Sequence, residues 1–203
     1  MTLTAIALNC TLKPGSEPSS TDKLLTEMLR ELATHDVRGE SLRMTEFNIK
    51  PGVTSDEGDG DDWPEIRSRI IAADILVIGT PIWLGQPSSV AKRVLERLDA
   101  FLGETDDKGR MPSFGKVAIV AVVGNEDGAH HCHAEIFQAL NDVGFTVPSC
   151  GGTYWVGEAM GSVDYKDLKA PFKATEQATQ MLAANAAHLA RLLKTSSYPG
   201  VAS

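Results

Sequence analysis

The chain has 203 residues, of which 42% are hydrophobic and 23% are charged, a composition typical of a globular chain with one full core. Its 19 basic and 27 acidic residues give a net charge of −8, which argues against nucleic acid or an anionic membrane surface as the main partner. No apolar run approaches the roughly 20 residues of a membrane span, and three scattered cysteines fit a reducing compartment, so we expect a cytoplasmic protein that has no membrane partner.

Short apolar runs alternate with amphipathic segments along the whole chain, and they predict strands followed by helices. In chain order the predicted elements are strand Leu3–Leu8, helix Thr21–Ala33, strand Val37–Met44, helix Trp63–Ala73, strand Asp74–Gly79, helix Val90–Leu98, strand Lys116–Gly124, helix Ala129–Val143, a strand beginning near Phe145 and helix Pro171–Lys194. Five such repeats predict an α/β fold, a doubly wound three-layer α/β/α sandwich whose five-stranded parallel sheet has the order 2-1-3-4-5. We expect residues 1–195 to form a single domain and residues 196–203 a flexible tail.

Three loops should meet over the carboxyl edge of this sheet. In the predicted order, the loops after the first, third and fourth strands surround the topological switch point, where open α/β sheets bind their ligands. These loops are Asn9–Ser20, Pro81–Pro87 and Asn125–His130. The sequence therefore predicts one crevice built from all three.

The loop after the third strand carries the most specific motif. It reads TPIWLGQPS from Thr80 to Ser88, with two prolines that fix φ and a glycine, Gly85, that permits a backbone conformation closed to other residues. This motif resembles the isoalloxazine loop of the NAD(P)H-dependent FMN reductases in the flavodoxin-like superfamily. The resemblance runs from Leu3 to about Trp155 and implies a flavodoxin-like fold that binds FMN without a covalent bond.

The first loop ends at the N-terminus of a predicted helix, where free N–H groups and the helix dipole favour a phosphate. It lacks Gly-x-Gly-x-x-Gly and the Walker lysine pattern, so a Rossmann dinucleotide site and a nucleotide triphosphatase are poorly supported. The arginine usual in this loop of the family is absent, which leaves Lys13 as the candidate cation. The hydroxyl groups that can bind the phosphate, or merely cap the helix, are those of Thr11, Ser19, Ser20 and Thr21.

The loop after the fourth strand reads GNEDGAHH from Gly124 to His131 and resembles the corresponding segment of bacterial flavodoxin-like oxidoreductases. The resemblance implies contacts with the pyrimidine end of the flavin. Glu126 and Asp127 would place negative charge near the ring and lower its potential, or would serve only as loop and cap acids. The candidate cofactor-binding residues of these two loops are Pro81, Ile82, Trp83, Leu84, Gly85, Gln86, Gly124, Asn125, Asp127, Gly128 and His130.

No metal site is predicted. The four neighbours from His130 to His133 point about 100° apart on a helix, and no second cluster completes a zinc shell. The acidic run Asp56–Asp62 fails the calcium-loop spacing and is interpreted as a mobile loop. The closely spaced cysteines that hold an iron–sulfur cluster in some relatives are also missing.

The resemblance implies an FMN-dependent oxidoreductase that passes hydride from NADH or NADPH through bound FMN to a small acceptor, such as a quinone, flavin, nitro or azo compound. It also implies a homodimer or homotetramer. Because the cofactor carries the chemistry, no catalytic side chain is expected. Trp83, Tyr154 and Trp155 are candidate aromatic walls of the site, with core packing as the alternative.

Two other functions stay open at this point. The first is a flavodoxin-type electron carrier, which binds FMN but does not turn over nicotinamide. The second is an α/β hydrolase or binding module without flavin, which the absence of a Gly-x-Ser-x-Gly elbow disfavours.

Overall fold

Strands and helices alternate along the chain in the computed structural model, which describes residues 2–201. Met1, and Ala202 and Ser203 of the predicted tail, lie outside the described residues. The strands are β1 (Leu3–Asn9), β2 (Val37–Arg43), β3 (Ile75–Trp83), β4 (Gln86–Pro87), β5 (Val117–Gly124) and β6 (Gly152–Val156). The helices are α1 (Ser20–Ala33), α2 (Trp63–Ala72), α3 (Ser89–Leu98), α4 (Ala129–Asp142) and α5 (Lys173–Thr195), with short 3₁₀ helices at Met44–Glu46, Asp99–Gly103 and Tyr165–Asp167.

Five of these strands form a parallel sheet in the order β2-β1-β3-β5-β6. The two-residue β4 pairs antiparallel with the end of β3 and lies off this path. Without β4 this is the order 2-1-3-4-5, so the predicted flavodoxin-like fold is confirmed. Helices α1 and α5 pack on one face of the sheet, and α2, α3 and α4 pack on the other. Within residues 2–201, no helix is both long enough and apolar enough to cross a membrane.

The central strand β5 explains why the core strands are apolar on both faces. Ala118, Val120 and Val122 pack towards α2, α3 and α4, while Ile119 and Val123 pack towards α1 and α5. Successive side chains of a strand point to opposite faces, so a strand covered by helices on both sides carries a continuous apolar run. Polar groups that could contact a ligand therefore lie in the loops at the strand ends.

The fifth parallel strand begins later than predicted. Thr146 makes one isolated parallel bridge with Val117, directly after the predicted start near Phe145. The chain then leaves the sheet, because Pro148 has no N–H to donate and Cys150 has a φ of 55°. It rejoins the sheet at Gly152, where β6 begins.

Two segments near the C-terminus complete the packing. Helix α5 begins at Lys173, two residues later than predicted, so Pro171 precedes the helix. Within the predicted tail, the ring of Tyr198 packs edge-on against Phe114, and its hydroxyl oxygen accepts a hydrogen bond from Thr146 Oγ1 at 3.1 Å.

A buried ion pair holds the acidic segment that precedes α2. The side chains of Arg97 on α3 and of Asp61 are both fully buried, with Nη2 and Oδ2 2.7 Å apart, and Arg97 also donates to the carbonyl oxygens of Lys50 and Thr54. Burial by itself would raise the pKa of Asp61, but the Arg97 guanidinium and three backbone donors hold it at about 2. Those backbone N–H groups belong to Glu57, Lys50 and Trp63. The segment is a loop, as predicted, and the buried charge pair anchors its backbone at Asp61, which argues against mobility there.

We expect Arg97→Ala to lower the free energy of unfolding by about 3–5 kcal/mol, because it leaves the Asp61 carboxylate buried without its partner. Urea unfolding near neutral pH, followed by circular dichroism, measures the change. Arg30→Ala is the control, since Arg30 is exposed on α1, and it should change stability by less than about 0.5 kcal/mol. Equal effects of the two variants would contradict the anchoring role of Arg97.

Candidate functional site

The loops after β1, β3 and β5 surround one cavity of about 440 Å³. This volume is within the usual range of small-molecule sites. The lining residues are Thr11, Leu12, Lys13, Ser19, Ser20, Thr21, Pro81, Ile82, Trp83, Leu84, Val123, Gly124, Asn125, Glu126, Trp155, Met160 and Asp164. The structure thus brings together most of the candidate residues from all three loops.

One end of the cavity is the N-terminus of α1. Ser19 is the N-cap, and its Oγ accepts a hydrogen bond from the backbone N–H of Asp22 at 3.3 Å. Ser20 Oγ accepts from the N–H of Lys166 at 3.2 Å, and Thr11 Oγ1 accepts from the N–H of Lys13 at 3.3 Å. A hydroxyl that accepts a hydrogen bond still has its own O–H to donate. Capping the helix and donating to a ligand are therefore compatible roles for these residues.

Two cationic side chains donate hydrogen bonds to the first loop. Lys13 lines the cavity, and its ammonium group donates to the carbonyl oxygen of Pro18 at 3.0 Å. Arg43, which the sequence analysis missed, ends β2 and donates to the carbonyl oxygen of Glu17 at 2.9 Å. Its guanidinium also lies 3.5 Å from Asp22. Arg43 therefore shapes the loop from outside, and a cation at the carboxyl end of the neighbouring strand was the available signal.

The segment predicted as a rigid loop after β3 is a β-hairpin. Strand β3 continues past Gly79 to Trp83, and Trp83 pairs with Gln86 across a two-residue turn. Both turn residues have positive φ, 53° at Leu84 and 75° at Gly85, as in a type I′ hairpin. The strand continues because Pro81 fits an extended backbone and keeps its place beside Val123 of β5.

The third loop contributes Asn125 and Glu126 to the lining of the cavity. Asn125 Nδ2 donates to Asp164 Oδ1 at 2.9 Å, while Asn125 Oδ1 is buried and has no hydrogen-bond partner among the described residues. A buried acceptor of this kind requires a donor from elsewhere. Glu126 accepts from the backbone N–H groups of Leu84 at 3.2 Å and Gly85 at 3.1 Å. These two N–H groups are directed at Glu126 and not into the cavity.

The rest of the lining comes from the chain between β6 and α5, for which the sequence predicts no element. Met160 and Asp164 line the cavity from this segment. Lys23 of α1 holds it by donating to the carbonyl oxygens of Tyr165 and Leu168. Hydrogen bonding and attraction from Lys166, whose ammonium is 3.0 Å away, lower the pKa of Asp164. The segment has no periodic apolar pattern, so the sequence carried little signal for it.

Five candidate residues lie outside the cavity lining, in or near the contact between the hairpin and α4. They are Gly85, Gln86, Asp127, Gly128 and His130. A Cβ atom on Gly128 would stand 2.7 Å from Gly85 Cα, so only glycine allows this approach. Gln86 Oε1 lies 2.9 Å from His131 Nε2, and Asp127 accepts from the N–H of Gly128.

The aromatic candidates divide between the cavity and α4. Trp83 and Trp155 line the cavity, with Trp83 54% exposed and Trp155 buried. Tyr154 faces α4 instead, where its ring centroid lies 5.2 Å from that of His130. His133 on the same helix is buried and stacks on Phe137. Across the described part of the chain, no group of three or more His, Cys, Asp or Glu side chains could hold a metal ion.

Comparison with known proteins gives two matches over nearly the whole chain and one family match. Residues 3–161 match the sequence model of a family described as NADPH-dependent FMN reductase. The chain is 32% identical to 8-demethyl-8-aminoriboflavin-5′-phosphate synthase of Streptomyces davaonensis, over 98% of this chain and 81% of that protein. It is 34% identical to the divalent metal cation transporter MntH of Mycobacterium bovis over 95% of this chain, but it spans only 29% of the length of that protein.

Two solved structures illustrate the range of similarity. The crystal structure of RosB with the bound intermediate 8-demethyl-8-formylriboflavin-5′-phosphate matches at a TM-score of 0.87 and 31% identity, over 97% of this chain and 82% of that one. An NAD(P)H:quinone oxidoreductase from Methanothermobacter marburgensis matches at a TM-score of 0.57 and 13% identity, over 91% and 99% of the two chains. The second match shows a shared fold alone.

Buried His133 should make stability depend on pH. Burial lowers its pKa from 6.5 to about 4, although the nearby carbonyl oxygen of Thr153 acts in the opposite direction. The unfolded chain therefore binds a proton more readily than the native protein, and stability should fall by about 3 kcal/mol as the pH falls through this window.

Replacing this histidine tests the assignment. His133→Gln should flatten the pH dependence of the free energy of unfolding between about pH 6.5 and pH 4. His188→Gln is the control, because His188 is exposed on α5 and should leave the slope unchanged. An unaltered slope in His133→Gln would contradict the prediction, whatever the absolute stability of that variant.

Proposed function

The chain belongs to the NADPH-dependent FMN reductase family, and we propose that its cavity binds FMN and serves NAD(P)H-dependent reduction of a small acceptor. One observation carries the proposal. The cavity has phosphate-binding chemistry at one end, at Lys13 and the N-terminus of α1, and an unpaired buried acceptor, Asn125 Oδ1, on its third loop.

The phosphate end is argued from charge and free donors. The first N–H groups of a helix have no partner within the helix, and the helix dipole adds positive potential there. Lys13 adds a full positive charge beside the same cavity, and the hydroxyl groups of Ser19, Ser20 and Thr21 add donors. These groups suit one terminal phosphate monoester.

The ring end is argued from the unpaired acceptor and the apolar lining. The pyrimidine portion of a flavin offers one N–H donor, and Asn125, which lines the cavity, has an unpaired acceptor, Oδ1, that would accept this donor once the amide turns towards the ligand. Ile82, Trp83 and Trp155 line the cavity with apolar surface suited to a planar ring. The residues present therefore fit FMN at both ends.

When bound, FMN would supply the redox chemistry by accepting electrons from a nicotinamide and passing them to an acceptor. The residues of this chain bind and orient. Lys13 and α1 would hold the phosphate, and Asn125 would fix the ring edge. Glu126, which lines the cavity, would disfavour further negative charge near the ring.

A second candidate function is modification of the flavin itself. It is favoured by the match to RosB, whose structure holds a derivative of riboflavin-5′-phosphate and which this chain resembles over 97% of its length. In this alternative, FMN would enter the same cavity as substrate and would leave with an altered ring. The binding groups are the same for both functions, so the fate of the flavin distinguishes them.

We expect Lys13→Met to weaken FMN binding by about 10- to 100-fold and riboflavin binding by less than 3-fold, because only FMN carries the phosphate. Titration of the apoprotein with each flavin, followed by flavin fluorescence, measures both affinities. Lys92→Met is the matched control on the exposed surface of α3 and should change neither. Equal losses of affinity for the two flavins would show that Lys13 does not act on the phosphate.

We expect anaerobic NADH or NADPH to bleach the absorbance of FMN bound to the protein faster than that of free FMN. After repeated cycles with a quinone acceptor, and after a separate aerobic incubation of the FMN-loaded protein with an amine donor, the flavin is extracted and its mass determined. Unchanged FMN supports the reductase, whereas an altered mass supports flavin modification. Slow bleaching by both nicotinamides would instead favour an electron carrier.

A further inference from the structure

The hairpin turn at the mouth of the cavity contains a residue that is unsuited to its backbone conformation. Leu84 has a φ of 53°, in the left-handed region that residues with a branched side chain avoid. Its side chain is 92% exposed, so packing within this chain does not compensate for the conformation. A residue persists in such a conformation only where surrounding contacts fix it, and such residues cluster at functional sites.

Glu126 supplies those contacts. Its Oε1 accepts from the N–H of Leu84 at 3.2 Å, and its Oε2 accepts from the N–H of Gly85 at 3.1 Å. One carboxylate therefore holds both central N–H groups of the turn. The approach of Gly128 to Gly85 and a 3.8 Å contact from Cys132 Sγ to the Gly85 carbonyl oxygen hold the same turn against α4.

Glu126 also links two parts of the cavity lining, the third loop and the hairpin. Glu126 directly follows Asn125, whose unpaired Oδ1 belongs to the third loop, and it binds the turn that directly follows Trp83. The carboxylate thus ties the loop that carries the buried acceptor to the hairpin that carries the exposed aromatic wall. Both of its oxygens are engaged in this contact.

We propose that Glu126 is a positioning residue, which sets the hairpin carrying Trp83 at a fixed place relative to Asn125. The effect on ligand binding rests on the proposed function, namely that the cavity takes FMN. The contact with the turn does not rest on it and can be measured without any flavin.

The first experiment measures the turn itself. Glu126→Gln keeps the length of the side chain but leaves one acceptor oxygen, because an amide NH₂ cannot accept a hydrogen bond. Amide hydrogen exchange of Leu84 and Gly85, followed by NMR in the protein without added flavin, should be at least about 10-fold faster at one of the two sites. Glu96→Gln, the same change at an exposed position of α3, should leave both rates as they are.

The second experiment separates positioning from charge. Asparagine tolerates positive φ, and Asn followed by Gly is the preferred pair in a type I′ turn, so Leu84→Asn should hold the turn without help. In the natural background, Glu126→Gln should weaken FMN binding by about 10-fold. In the Leu84→Asn background, the same change should weaken it by less than about 3-fold, as a double-mutant cycle would reveal.

The outcomes decide between the explanations. Unchanged amide exchange in Glu126→Gln would overturn the proposal. An equal loss of FMN affinity in both backgrounds would also overturn it, because the role of Glu126 would then be its charge alone. If the unmodified protein binds no FMN, the proposed function fails, and the exchange rates still decide whether Glu126 fixes the hairpin.

Discussion

The buried hydroxyl group of Ser88 makes the hydrogen bonds on which the geometry of the cavity depends. Ser88 Oγ donates to the carbonyl oxygen of Cys10 at 2.7 Å, at the point where β1 passes into the first loop. The same oxygen accepts the N–H of Ala91 and caps α3. The Ser88 N–H in turn donates to Thr80 Oγ1 at 3.0 Å. One residue after the hairpin therefore joins β1, β3 and α3 where the sheet ends.

This junction explains how loops from distant parts of the sequence keep a common geometry. The Cys10 N–H donates to the carbonyl oxygen of Gly79 at 2.8 Å, so the first loop leaves β1 alongside β3. A side chain at Gly79 would bring its Cβ to 2.6 Å from Leu25, so glycine lets α1 lie close to the strand. The helix N-terminus and the hairpin are thus set by the same packed region. Glu126 joins the third loop to the same hairpin.

Sequence patterns predicted the features that arise from local chemistry. The continuous apolar run of β5 and the two prolines around Gly85 identified a central strand and a constrained turn, and strand order then placed three loops at one edge. Lys13 and Asn125 could be nominated from loop position alone. Pro148 is the sequence signal for the interruption of the fifth strand, since a proline cannot donate a hydrogen bond to the sheet.

Features that depend on long-range pairing could not be read from the sequence. Arg97 looks like any polar residue of an amphipathic helix until its partner Asp61, 36 positions earlier, is known. Glu126 likewise carries no local sign that it binds a turn about 40 residues away. The segment with Met160 and Asp164 has neither a strand nor a helix period, so its place over α1 depends on contacts such as those of Lys23.

These contacts fix some residues of the cavity lining and leave others exposed. The proposed phosphate end combines a capped helix with a loop held by Arg43, so its donors are in place without a ligand. Leu84 and Met160 also line the cavity, and they are 92% and 96% exposed. Binding energy for the proposed ligand would come from the phosphate end, while these exposed apolar residues would decide what reaches the ring. A reductase and a flavin-modifying enzyme could therefore share the proposed phosphate site, and differences between their activities should map to the exposed residues Leu84 and Met160.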